Sequence, residues 1–132
     1  VIIVDANVLA IFYLPGPQTD DALRLAEREP EWASSALVRH ELRSVLANHM
    51  QQRGLKLPLA LAIMESAEQM LSGRFFELSS LEVLALAEQS GCSAYDCEYV
   101  LLAQQFGVPL VTDSRQLQKQ FPRIATPLSR RH

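Results

Sequence analysis

Two short apolar runs constrain this chain most: Val-Ile-Ile-Val at residues 1–4 and Leu-Val-Thr at 110–112 show no polar alternation, and each leads straight into an aspartate, Asp5 or Asp113. Short unbroken runs bounded by turn signals read as buried strands. In an open α/β sheet, ligands bind outside the carboxyl ends of such strands. Both aspartates therefore stand where a parallel sheet keeps its chemistry.

The rest of the chain supplies the helices that a parallel sheet needs. Residues 6–14 read as a short helix stopped by Pro15-Gly16-Pro17, and residues 19–28 as a second with acids in its first turn. A strand around Trp32 (31–34) precedes a long helix, 35–53, closed by Gly54, and Pro58 opens another that runs to residue 71. Residues 74–78 form a strand and 80–90 a helix ending at Gly91. Ser93 caps a helix that stops at Gly107; then come strand 109–112, helix 114–121 and a last strand, 124–126. Strands alternating with helices predict an α/β fold, a mostly parallel sheet of four to five strands sandwiched between helices. The 132 residues suit one domain, 1–132.

Two more acids interrupt apolar helix faces. A helix turns about 100° per residue, which sets Asp96 among Tyr99, Val100 and Ala103, and Glu41 among Leu37, Val38, Leu42 and Val45. Glu98 falls on the far side of its helix and reads as solvated. His40 and Arg43 fall on the polar side of theirs. His49 lies on the apolar arc, about 12 Å along the axis from Glu41, and reads as a core or interface histidine. Taken singly, Asp5 and Asp113 also read as helix N-caps, and Glu41 and Asp96 as partners of a buried arginine. One shared metal site, with a pair of ions or one ion plus substrate phosphate, accounts for the four together. Hard oxygen ligands without His or Cys select Mg²⁺ or Mn²⁺, and phosphodiester displacement is the natural chemistry of such a site.

The net charge is −3, less than these four carboxylates carry, so the remainder of the molecule is close to neutral. That balance argues against a broad basic face gripping a duplex. Arg39, Arg43 and Arg115 adjoin the acidic positions and are the candidates for local phosphate contact, while Asn7 and Thr112 are candidates to orient the carboxylates. Cys92 and Cys97 lack the partners of a zinc site or disulfide framework and read as reduced packing residues. No apolar run of about 18 residues occurs, and no charged leader precedes Val1. The expected location is cytoplasmic, without a membrane span.

Four segments in order, Val-Asp-Ala-Asn-Val-Leu (4–9), Ala-Leu-Val-Arg-His-Glu-Leu-Arg (36–43), Ser-Ala-Tyr-Asp-Cys-Glu-Tyr-Val (93–100) and Gly-Val-Pro-Leu-Val-Thr-Asp-Ser-Arg (107–115), carry a resemblance. The chain resembles the PIN-domain nucleases and, within them, the toxins of VapBC-type toxin–antitoxin pairs. The resemblance implies an endoribonuclease dependent on Mg²⁺ or Mn²⁺, with Asp5, Glu41 and Asp96 at the family's acidic positions. It also implies an RNA substrate, a homodimer and a small antitoxin that blocks the site. The family's last motif reads Thr-x-Asp, whereas here it reads Thr112-Asp113-Ser114. Either Asp113 faces the metal from one position early, the reading preferred on sequence, or Ser114 takes the acid's place.

Other readings stay open: a PIN nuclease of RNA processing or decay without an antitoxin, and a degenerate PIN module that binds without cutting. A signalling receiver domain would need paired acids after the first strand and a lysine after a late one. A haloacid-dehalogenase phosphatase would need an acid where Asn7 stands. Ala6 follows Asp5, and the lysines are Lys56 and Lys119, neither at a strand end.

Overall fold

The computed structural model describes residues 1–129. Its elements run β1 (Ile2–Val4), α1 (Ala6–Tyr13), α2 (Thr19–Arg28), β2 (Trp32–Ser35), α3 (Val38–Arg53), α4 (Leu57–Leu71), β3 (Phe75–Phe76), α5 (Ser80–Ser90), α6 (Ala94–Phe106), β4 (Leu110–Val111), α7 (Arg115–Gln120) and β5 (Ala125–Thr126). This is the order that the sequence predicts. All strand pairs are parallel, in the order β3-β2-β1-β4-β5.

Burial explains why β1 shows no alternation. Ile2, Ile3 and Val4 are all buried, although successive strand side chains point to opposite faces, so both faces are covered. Helix α6 packs across β1, β2 and β4, α4 packs on β2, and α1 lies against α2 and α3. Gly107 closes α6 with φ +64°, a left-handed conformation that costs glycine little. The chain then turns directly into β4.

Several boundaries differ from expectation, two of them for a visible reason. Ser35 belongs to β2, and α3 starts only at Val38, because the Ser35 hydroxyl accepts the Leu37 N–H at 3.0 Å and shapes a turn between them. Strand β3 is confined to Phe75–Phe76, since the following residues lead into Ser79, whose side chain caps α5.

The strand order changes direction between β1 and β4. That is the topological switch point at which open α/β sheets build their sites. With Val4 paired to Val111, the next residues of both strands, Asp5 and Thr112, are set side by side at the carboxyl edge.

Candidate active site

Asp5 is held from two sides. As N-cap of α1 its Oδ1 accepts the Val8 N–H at 3.0 Å, and the Thr112 hydroxyl donates to Oδ2 at 2.6 Å. Thr112 Oγ1 itself accepts the Ser114 N–H at 3.1 Å, which turns the hydroxyl proton toward Asp5. Burial pushes the Asp5 carboxyl up to about 6; the bonds from Thr112 and Val8 pull it back, and the charges of Glu41 and Asp113 push it further up. The N-cap reading and the site reading of Asp5 are thus both met, by different lone pairs of one carboxylate.

Glu41 extends from the first turn of α3 and accepts a short hydrogen bond from the Tyr99 phenol on Oε1. Burial, then the bond to Glu41, holds the Tyr99 hydroxyl well above its ordinary range, so it remains a donor. Asp96 stands in the first turn of α6, whose N-cap Ser93 accepts the Asp96 N–H at 3.1 Å. Burial raises the Asp96 carboxyl, and the Ser93 bond partly offsets this.

Asp5, Glu41 and Asp96 line one cavity of about 250 Å³, together with Asn7, Ser44, Tyr99 and Ser114. Among the described residues the ion pairs are Val1–Glu29, Asp21–Arg24 and Arg39–Glu68. None involves these three acids, so the arginine-partner reading of Glu41 and Asp96 finds no support. Among the described residues the cavity's carboxylates have no compensating cation. The donor set, all hard oxygen, fits Mg²⁺ or Mn²⁺. Among the described residues no three such side chains are drawn tightly enough to enclose an ion. Mg²⁺ in particular keeps several waters and is held by one or two carboxylates plus substrate phosphate, so an open acidic cavity suits it.

Of the two residues competing for the fourth position, Ser114 lines this cavity and caps α7 through Leu117 N. Asp113 is exposed in an adjoining cleft, where Gln18 Nε2 approaches its Oδ1 at 3.5 Å. The sequence preference for Asp113 is therefore not matched by direct lining of the cavity.

The arginine candidates do not line it either. Arg39 pairs with Glu68 at 3.9 Å and covers the Phe75 ring at 5.1 Å. Arg43 bonds the Arg39 carbonyl and the His40 ring, and Arg115 borders a separate surface depression with Lys119. Glu98 corrects the expectation of a solvated residue: it is half-buried and accepts from Ser35 Oγ at 2.5 Å. The helical wheel placed it opposite Asp96 correctly, but α6 meets β2 as well as β1 and β4, so its far side also has a neighbour. Ser44 and the role of Tyr99 were missed on sequence. Each lies three residues beyond an acid on the same helix face, at Glu41 and Asp96, which is the signal that would have found them.

Tyr99→Phe removes the donor to Glu41 while keeping the ring. RNA cleavage is expected to fall roughly tenfold, the worth of one hydrogen bond to a charged group, with the circular dichroism spectrum unchanged. Wild-type turnover in that variant would show that the contact does not matter to activity.

The comparison with protein families decides the relationship: the family described as PIN domain matches residues 2–123. The chain belongs to the PIN-domain family. This PIN protein is 31% identical over 130 residues to ribonuclease VapC3 of Pyrobaculum aerophilum, a match that covers 96% of the chain and 98% of the relative. As a homologue of that ribonuclease it is a VapC-like PIN nuclease. Two solved structures share the PIN fold at low identity. One is FitAcB from Neisseria gonorrhoeae (TM-score 0.71, 17% identity, 97% of this chain and 98% of that one). The other is a toxin–antitoxin complex from Klebsiella pneumoniae (TM-score 0.69, 17% identity, 96% and 97%).

Proposed function

We propose that this PIN protein hydrolyses RNA phosphodiester bonds with Mg²⁺ or Mn²⁺ held by Asp5, Glu41 and Asp96, as the toxin of a VapBC-type pair. The observation that carries the reading is one cavity lined by three carboxylates that have no cationic partner among the described residues, in a chain homologous to a ribonuclease. Asp5, Glu41 and Asp96 would hold the divalent ion, which would supply charge neutralisation for the phosphoryl group and a more acidic water. The protein's own groups do the positioning. Thr112 and Val8 fix the two oxygens of Asp5, Tyr99 fixes one oxygen of Glu41, and Asn7 and Ser114 add polar atoms to the wall. Asp113 adds a fourth negative charge from the neighbouring cleft, felt at Asp5. Arg39, Arg43 and Arg115 remain proposed outer contacts to the RNA backbone.

An antitoxin partner is supported by the likeness in fold to a toxin–antitoxin complex, and a homodimer by family resemblance. Among the described residues no helix is long and apolar enough to cross a membrane. Cys92 and Cys97 are buried free thiols, which accords with a cytoplasmic setting.

The test is cleavage of a mixed RNA pool by the purified protein with Mn²⁺, with EDTA, and by Asp96→Asn, which removes charge and little volume. Metal-dependent cutting that the variant lacks, by at least a hundredfold in rate, is the expected result. Wild-type activity in Asp96→Asn would remove Asp96 from the site. No cutting by folded protein with any metal would favour a binding module, and the lack of an adjacent antitoxin gene would favour an RNA-processing nuclease.

A further inference from the structure

The acidic cavity shares two walls, Asn7 and Val45, with the cleft that contains Asp113. This cleft, about 340 Å³, lies between α1 and α3, at the lower end of the size range of pockets that take small ligands. One side is apolar, from Ala10, Ile11, Leu14 and Val45. Its polar side chains are Gln18, His49 and Asp113, with the Asn7 amide at the wall shared with the acidic cavity. Among the described residues no lysine or arginine lines it and one carboxylate does, which disfavours a phosphate there. An RNA strand whose scissile phosphate lies at Asp5, Glu41 and Asp96 carries a neighbouring nucleotide, and the part of that nucleotide with a flat apolar face and no charge is its base. Single-stranded RNA is read in this way, by bases splayed into pockets and bonded along their edges.

The hydrogen bonds already present set what the cleft asks of a base. His49 Nδ1 lies 3.0 Å from the Val45 carbonyl, which can only accept, so Nδ1 carries a proton, and in that tautomer Nε2 is an acceptor. Gln18 turns its amide nitrogen toward Asp113, which leaves its oxygen as a second acceptor. The Asp113 carboxylate is a third. Acceptors in the majority favour an exocyclic amine, with its two protons, over uracil, whose single N3–H lies between two carbonyl oxygens that the same acceptors repel.

We propose that this cleft is a base subsite for the nucleotide beside the cleaved phosphodiester, selecting bases with an exocyclic amine (guanine, adenine or cytosine) over uracil. The proposal rests on the nuclease reading above. The cleft's continuity with the acidic cavity favours RNA over a segment of a partner protein.

The test starts from a cut mapped in a mixed RNA pool with Mn²⁺. Single-stranded oligonucleotides are then made that differ only at the nucleotides flanking the cut: an amine-bearing base, uracil, or an abasic ribose. At one flanking position, kcat/KM should fall roughly tenfold from an amine-bearing base to uracil, and further for the abasic ribose, as for one or two lost hydrogen bonds. His49→Leu and Gln18→Leu, the latter at the half-buried N-cap of α2 where the side chain makes no capping bond, should bring the ratio between the first two substrates close to one. Cutting that is indifferent to both flanking bases overturns the subsite and leaves the nuclease standing. So does a base preference that both variants retain, or variants that weaken a co-expressed antitoxin's binding without changing the preference. Absence of any metal-dependent cutting overturns the subsite together with the nuclease reading.

Discussion

Asp5→Asn should abolish RNA cleavage and yet make the metal-free protein more stable at neutral pH. The carboxyl, ordinarily at 3.8, is raised to about 6 in the folded protein, chiefly by burial. Between these values the folded state binds more protons than the unfolded one, so stability falls as pH rises through the interval and the penalty is complete above about 6. Its size is on the order of 3 kcal/mol at pH 7. Asparagine removes the charge, still caps α1 through Val8, and reaches Thr112 with its amide. Thermal melts from pH 5 to 8 should show the variant gaining on wild type as pH rises. Mg²⁺ or Mn²⁺ should raise the wild-type melting temperature, because a ligand of the folded state stabilises it, and leave the variant's nearly unchanged. Protons compete with the cation for the same oxygens, so wild-type cleavage should weaken as pH drops below about 6, and less so with more metal. Equal metal-induced shifts in both proteins would sink the assignment of Asp5.

Trp32→Ala is expected to cost the most stability, about 3–5 kcal/mol for the emptied volume, out of a total of roughly 5–15 kcal/mol for a domain. Trp32 is fully buried, its ring meets Phe12 edge-on at 5.5 Å, and its Nε1 donates to the Glu29 carbonyl at 2.7 Å. It pairs with Ile2 of β1, so the damage falls on the strand that presents Asp5. Urea unfolding followed by circular dichroism should show a lower midpoint with a similar slope. Trp32→Phe, which keeps most of the ring, should recover much of the loss. An unchanged midpoint in the alanine variant would mean that the core is not centred there.

The order of elements was legible because prolines, glycines and serine caps punctuate the chain and each helix carries its own period. The convergence of Asp5, Glu41 and Asp96 was legible for a related reason: strand ends in a parallel sheet share an edge, and helix faces follow from spacing. What escaped the sequence depends on single residues. Whether Asp113 or Ser114 lines the cavity turns on where β4 ends, and Ser114 is fixed there by capping α7. Glu98 read as solvated because spacing gives the direction of a side chain and not how many elements surround its helix. Arg39 lies next to an acidic motif in sequence yet is drawn to Glu68 and Phe75 on elements that follow. Long flexible side chains find partners that proximity along the chain does not foretell.

The bond from Thr112 to Asp5 spans 107 positions. During synthesis, at roughly 5–20 residues per second, the first aspartate waits many seconds for the hydroxyl that orients it, and for the Ser114 wall of the same cavity. A growing chain therefore lacks the finished site until β4 has emerged, and a premature stop anywhere before β4 releases a product without it. Activity is deferred until β4 has been made, a safeguard that comes from the sheet's crossover alone.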